Sequence, residues 1–166
     1  MQIWTGNVFG AVFWWSHGIE THTHAQNGGP DDNIIGIDEV PYLDNSKPVF
    51  AFQGSCLNAH PETTNNLAYS FLLNGAVSTV AATRPATYTM AAYPWTYPDT
   101  QPCFELRYAQ NLILERMPAA DALMSHKQAN APRAATYWLN YLIHNVYGTP
   151  EGNPYALRFA GPRFSF

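Results

Sequence analysis

Three short apolar runs constrain this chain more than anything else in it. Residues 8–15 (VFGAVFWW), 48–52 (PVFAF) and 76–82 (AVSTVAA) are too short for buried helices and rich in β-branched, aromatic or small side chains. That is the pattern of strands covered on both faces. Between the second and third runs lies PETTNNLAYSFLLNG, where Leu67, Ala68, Phe71 and Leu72 recur at helical spacing and Gly75 supplies a C-terminal stop. Strand, helix, strand in that order is a parallel crossover unit, so the pattern predicts an α/β fold built on a parallel sheet.

The remaining segments fit around that unit. Residues 18–47 show no sustained periodicity and are rich in Gly, Asn, Asp and Pro, which predicts a long connection with at most a short extended piece at NIIGI. Ordered connections of that length are often functional. A second irregular stretch, RPATYTMAAYPWTYPDTQPC, leads to three segments read as helices: FELRYAQNLILER, MPAADALMSHKQA and PRAATYWLNYLIHNVYG. YALRFAG reads as a last strand. With no internal repeat or linker, residues 1–166 are expected to form a single domain.

Composition narrows the partners. Charged residues are 12% of the chain and aromatics 14%, against a usual charged fraction of about 25%. A large part of the surface is therefore expected to be covered, some of it by another polypeptide segment or an oligomer partner. A net charge of −4 without any Lys/Arg cluster argues against nucleic acid or an anionic membrane as partner. No stretch approaches the ~20 apolar residues of a membrane span, and the N-terminus lacks a signal peptide's basic region. Up to Thr83 the only basic residue is Lys47, against Glu20, Asp31, Asp32, Asp38, Glu39, Asp44 and Glu62. This acidic excess would attract a cationic ligand, although a solvated acidic loop is the plainer reading.

The first and second runs each break off at a reactive side chain beside glycine: His17 in WWSHG and Cys56 in FQGSC. In a parallel α/β sheet, ligands bind where the carboxyl ends of the strands meet. If the two strands are neighbours, about 5 Å apart, an imidazole and a thiol converge on one cleft. A nearby imidazole promotes the nucleophilic thiolate and can protonate a leaving amine. Gly18 permits close backbone approach, so its N–H, with that of Cys56, would receive a developing oxyanion. Cys56 and Cys103 make no disulfide framework, and a free thiol suits Cys56 better. Cys103 reads as a partly buried helix-entry residue, and Tyr137, Trp138 and Tyr141 as core or interface packing.

Metals are weaker readings. His17, His22 and His24 in HGIETHTH would bind zinc only with a further ligand such as His60 or an aspartate of PDDN, and a solvated polar loop fits that spacing better. GGPDDN has too few alternating oxygens for a calcium loop. No cofactor is expected.

WWSHG, VPYLDNSKPVFAFQGSCLN and NLAYSFLLNGAVSTVAATR together resemble the catalytic core of the caspase-like cysteine peptidases, most closely the gingipain (C25) family. LIHNVYGTPEGNPYAL resembles the family's segment ending in a Gly-Asp-Pro turn. The resemblance runs from Val8 to about Leu157. It implies a three-layer sandwich, a mainly parallel sheet flanked by helices, here without the strands that normally precede the one ending in His-Gly. It implies a cysteine endopeptidase acting on polypeptide substrates, with His17 and Cys56 as catalytic dyad and the amides of Gly18 and Cys56 as oxyanion hole. It further implies Trp95 as a wall of the P1 pocket with Tyr88 behind it, a preference for basic P1 residues, and a secreted or cell-surface location. The alternative is a catalytically inactive scaffold or assembly subunit of the same fold.

Overall fold

The computed structural model describes residues 10–25, 33–43, 47–87, 93–130 and 138–155. Its elements in chain order are β1 (Ala11–Trp15), β2 (His17–Gly18), β3 (His22–His24), β4 (Asn33–Gly36), β5 (Val49–Gly54), α1 (Leu67–Leu73), β6 (Ala76–Ala82), α2 (Gln101–Ile113), α3 (Ala119–Asn130), α4 (Leu139–Ile143) and β7 (His144–Gly148). Short 3₁₀ turns at Val40–Tyr42 and Pro94–Thr96 complete the list.

The three apolar runs form three successive strands, β1, β5 and β6, of a four-stranded sheet of order β1-β5-β6-β7, with β5 and β6 at its centre. β1 pairs parallel with β5, and β5 parallel with β6. Residues of β5 alternate between the faces, as strand geometry requires. Phe50 and Phe52 pack with Phe104, Tyr108 and Leu112 of α2 and with Ala122 and Leu123 of α3. Val49 and Ala51 pack on the opposite side with Leu67 and Phe71 of α1, Ile35 of β4 and Val40. All six residues of β5 are buried, and each large apolar side chain removed from water there contributes roughly 1.5–3 kcal/mol. This is the parallel α/β unit expected from the strand, helix, strand pattern, in the three-layer arrangement that the family resemblance implies.

The expected helix between β5 and β6 is α1, capped by Asn66, whose side chain accepts the Tyr69 N–H at 3.0 Å. Capping of this kind supplies one orphan amide of the first turn with its partner.

Two expectations need correction. The segment PRAATYWLNYLIHNVYG is not one helix: within its described part, α4 ends at Ile143 and residues 144–148 run as β7, antiparallel to β6. Pairing with β6 satisfies backbone groups of β6 that would otherwise face outward, and it outweighs a helical pattern only a few residues long. The connection 18–47 holds more than one extended piece, since β2, β3 and β4 form a small antiparallel sheet. NIIGI does contain β4, as expected. Most of YALRFAG and the first two residues of the run 8–15 lie outside the described residues.

Candidate active site

β1 and β5 are neighbours, and their register pairs Trp15 with Gly54 at the carboxyl ends. One further bond follows, from Ser16 N to Gly54 O at 2.8 Å. There the two chains part. His17 turns away to pair with His24 of β3, while Ser55, Cys56 and Leu57 make a turn. His17 and Cys56 thus each stand two residues beyond the last paired position of adjacent parallel strands.

Gly54 and Gly18 permit this arrangement by having no side chain. A Cβ on Gly54 would collide with the carbonyl oxygen of Trp14. A Cβ on Gly18 would lie 2.7 Å from the Ser55 Cβ and 3.0 Å from the Cys56 carbonyl oxygen. The His-Gly and Ser-Cys segments are therefore in direct contact. Leu57, directly after the cysteine, has φ +62°, a left-handed conformation uncommon for a residue with a Cβ. It reverses the chain at once after Cys56 and returns it toward the histidine loop.

The half-buried Cys56 is a free thiol. The Ala86 N–H donates to its Sγ at 3.2 Å, and the Ala86 carbonyl lies 3.7 Å from the sulfur. Ala86 is held from two sides. Asn140, fully buried, accepts the Thr87 N–H at 3.0 Å and donates to the Thr87 carbonyl at 2.7 Å. On the other flank Arg84 forms a two-pronged pair with Glu62 at 2.8 and 3.1 Å. The Arg84 guanidinium holds the Glu62 carboxyl below its ordinary range. The His17 ring stacks on that of His24, with centroids 5.8 Å apart and planes 19° from parallel. His22 in turn lies 5.6 Å from His24.

Trp95 sits in the 3₁₀ turn Pro94–Thr96, 46% exposed, with Tyr93 edge-on at 5.7 Å. Tyr88 lies outside the described residues, as do Asp31 and Asp32. Among the described residues, no group of three His, Cys, Asp or Glu side chains is disposed to hold a metal ion. Cys103 lies inside α2 and is fully rather than partly buried, and burial pushes its thiol up. Trp138 is exposed and Tyr141 packs in the core beside Phe104, at 4.8 Å.

Two residues near the cleft had no sequence signal. Glu105 of α2 approaches Gly54, its Oε2 only 3.1 Å from where a Gly54 Cβ would stand, and burial pushes its carboxyl up to about 7. Asn58, two residues after Cys56, has no solvent exposure. An asparagine in SCLN reads as ordinary turn chemistry until the fold shows what surrounds it.

No protein-family model and no curated protein sequence matches the chain. Solved structures do. The crystal structure of the Arg-specific cysteine proteinase gingipain R (RgpB) superposes with a TM-score of 0.67 at 19% identity, over 89% of this chain and 34% of that one. The complex of the pro- and mature domains of Porphyromonas gingivalis RgpB gives 0.66 at 17% identity, over 90% and 35%. A third structure, described as a protease, gives 0.55 at 14% identity, over 89% and 36%. The chain spans about a third of the length of each. Its mainly parallel four-stranded sheet, with helices on both faces, is thus the caspase-like fold of gingipain R, matched over part of that protein's length.

Proposed function

We propose that residues 1–166 form a single cysteine peptidase module in which His17 and Cys56 are the catalytic dyad. The observation that carries this reading is the contact of Gly18, the residue after His17, with Ser55 and Cys56 beyond the carboxyl ends of two adjacent parallel strands. In the reaction the Cys56 Sγ attacks the scissile carbonyl carbon, and the thiol proton passes to the His17 imidazole. Negative charge on the carbonyl oxygen is received by the amides of Gly18 and Cys56. The tetrahedral intermediate collapses with cleavage of the C–N bond, the amine leaving with the proton from His17. Water then hydrolyses the thioester and restores the thiol.

The substrate is a polypeptide, and the acidic excess before Thr83 supports a basic P1 residue. Trp95 is proposed as a wall of the P1 pocket, with Tyr88 behind it. A further polypeptide segment is proposed to cover the apolar edge of β1, which supports the reading of a module within a larger assembly. The test is a peptide library offered to the purified protein and to its Cys56→Ala and His17→Ala variants. Cleavage after basic residues, reduced by several orders of magnitude in both variants, is the expected result. Undiminished cleavage by Cys56→Ala overturns the proposal.

A further inference from the structure

The two loops that carry the proposed dyad are tied at both ends, and the outer tie is one side chain. Below the cleft, Ser16 N bonds Gly54 O at 2.8 Å, the last bond between the β1 and β5 chains. Above it, the Asn58 Nδ2 donates to the Ile19 carbonyl at 2.5 Å and to the His22 carbonyl at 3.4 Å. Its Oδ1 accepts the Ser55 hydroxyl, and its own carbonyl accepts the Ala68 N–H of α1 at 2.9 Å. His17, Gly18, Ser55 and Cys56 all lie between these two ties.

Asn58 suits the place for chemical reasons. The Ile19 carbonyl takes its donor from Asn58, the His22 carbonyl accepts the Ile19 N–H at 3.0 Å and Asn58 as a second, longer donor, and the Ser55 hydroxyl of the cysteine turn needs an acceptor. A carboxamide is the compact neutral group that offers both on a planar frame. Aspartate would present an oxygen to two carbonyls, and glutamine would add a methylene to a side chain that has no solvent exposure. The positive φ of Leu57 brings the side chain back across the gap, which an extended residue 57 would not do. A further bond, from Leu67 N to Glu20 O at 2.8 Å, fixes the same histidine loop to α1. The loop is thereby anchored to the element that follows the cysteine turn.

We propose that Asn58 is a positioning residue that sets the separation of His17 from Cys56, and with it the ability of the imidazole to activate the thiol. This rests on the dyad reading given above. Asn58 touches neither reacting atom. It acts by holding Ile19 and His22 to the cysteine turn, so its loss would leave the sheet intact and let the two loops part. A displacement of about 1 Å at a catalytic pair is enough to cost on the order of a hundredfold in rate.

The test is a double-mutant cycle read by chemistry rather than by stability. Alkylation of Cys56 by iodoacetamide is timed across pH in the native protein, His17→Ala, Asn58→Ala and the double variant, each verified as folded by near-ultraviolet circular dichroism. With Asn58 present, His17→Ala should slow alkylation at neutral pH by roughly tenfold or more; with Asn58→Ala the same change should alter it by less than about twofold. An equal His17 effect in both backgrounds overturns the positioning role and leaves the dyad standing. No His17 effect with Asn58 present overturns the dyad, and the positioning role with it. If Asn58→Ala fails to fold, solvent exchange of the Asn58 side-chain amide protons in the unmutated protein decides: slow exchange supports the clamp, and rapid exchange overturns it.

Discussion

At the scale of single residues, the site depends on what is missing from a side chain as much as on what is present. Gly18 is in contact with both Ser55 and Cys56, so any Cβ there must push the cysteine turn away. Gly18→Ala is expected to cost about 1–3 kcal/mol of stability through this overpacking. It should also lower peptide cleavage more than His24→Ala does; an alanine variant with full activity and unchanged melting would show that the contact is not needed. The two thiols should separate cleanly. Cys103 is 3% exposed inside α2, with its thiol pushed up by burial, while Cys56 is half-buried at the cleft. Mass spectrometry after brief iodoacetamide treatment should find one adduct, on Cys56, and a second only after unfolding in urea. Equal labelling of the two would contradict the placement of α2. The placement of His17, Gly18 and Cys56 just beyond the ends of neighbouring strands was legible in the sequence, because strand ends beside glycine are recognisable locally. Asn58, the Ala86 amide and Glu105 were not, since each acquires its role from a neighbour that is near only in the fold.

Between elements, titration tests whether α2, α3 and β7 pack as described. Glu105 on α2 has its carboxyl raised from 4.5 to about 7 by burial. Its contribution to stability is complete below pH 4.5 and is lost as pH rises through about 7, because the unfolded chain releases that proton first. The fully buried His144 at the start of β7 is lowered by burial from 6.5 to about 4. Its contribution is complete above pH 6.5 and is lost as pH falls toward 4, since the unfolded chain takes up the proton that the core refuses. Burial also lowers His126 on α3, which adds to the loss on the acid side. Glu105 and His144 each span about 2.5 pH units, or up to roughly 3 kcal/mol, with opposite signs. Glu105 should therefore offset much of the histidine slope, leaving only a shallow rise in melting temperature between about pH 4.5 and 6.5. Glu105→Gln should unmask the histidine slope, melting progressively higher as pH rises through that window, and should exceed the parent at pH 8. A variant with the parent's shallow profile would show that Glu105 is not packed against Gly54.

The strands β5 and β6 were legible because each is a short, nearly continuous apolar or small-residue run, and helix α1 because its apolar residues keep one helical period. β7 was not: its residues HNVYG continue the apolar pattern of α4 without a stop signal, and only the open side of β6 makes them a strand. The hairpin β2–β3 is likewise hidden, because strands of two and three residues carry no readable alternation.

At the scale of the whole molecule, the order β1-β5-β6-β7 leaves β1 at one end of the sheet. Among the described residues no strand pairs with its outer side, although the strand is AVFWW. An apolar edge of this kind pairs with further strands unless it is covered. The low charge and high aromatic content, read from sequence as a sign of covered surface, agree with such cover. Light scattering coupled to size exclusion should therefore report a mass above 18.5 kDa, from self-association or from a co-purifying polypeptide. A stable monomer of that mass at micromolar concentration would contradict it.

The proposed chemistry requires Cys56 to be a nucleophile activated by His17 for attack on a peptide carbonyl. Its most direct measurement is covalent capture by a peptidyl chloromethyl ketone with arginine at P1, followed by tryptic mapping. Such a reagent alkylates the sulfur with loss of chloride only after it is bound and the thiol is activated. One adduct is expected, on Cys56, formed much faster than with a ketone lacking the peptide, and slowed by at least about tenfold in His17→Ala. Equal rates with and without the peptide, and no dependence on His17, would contradict it.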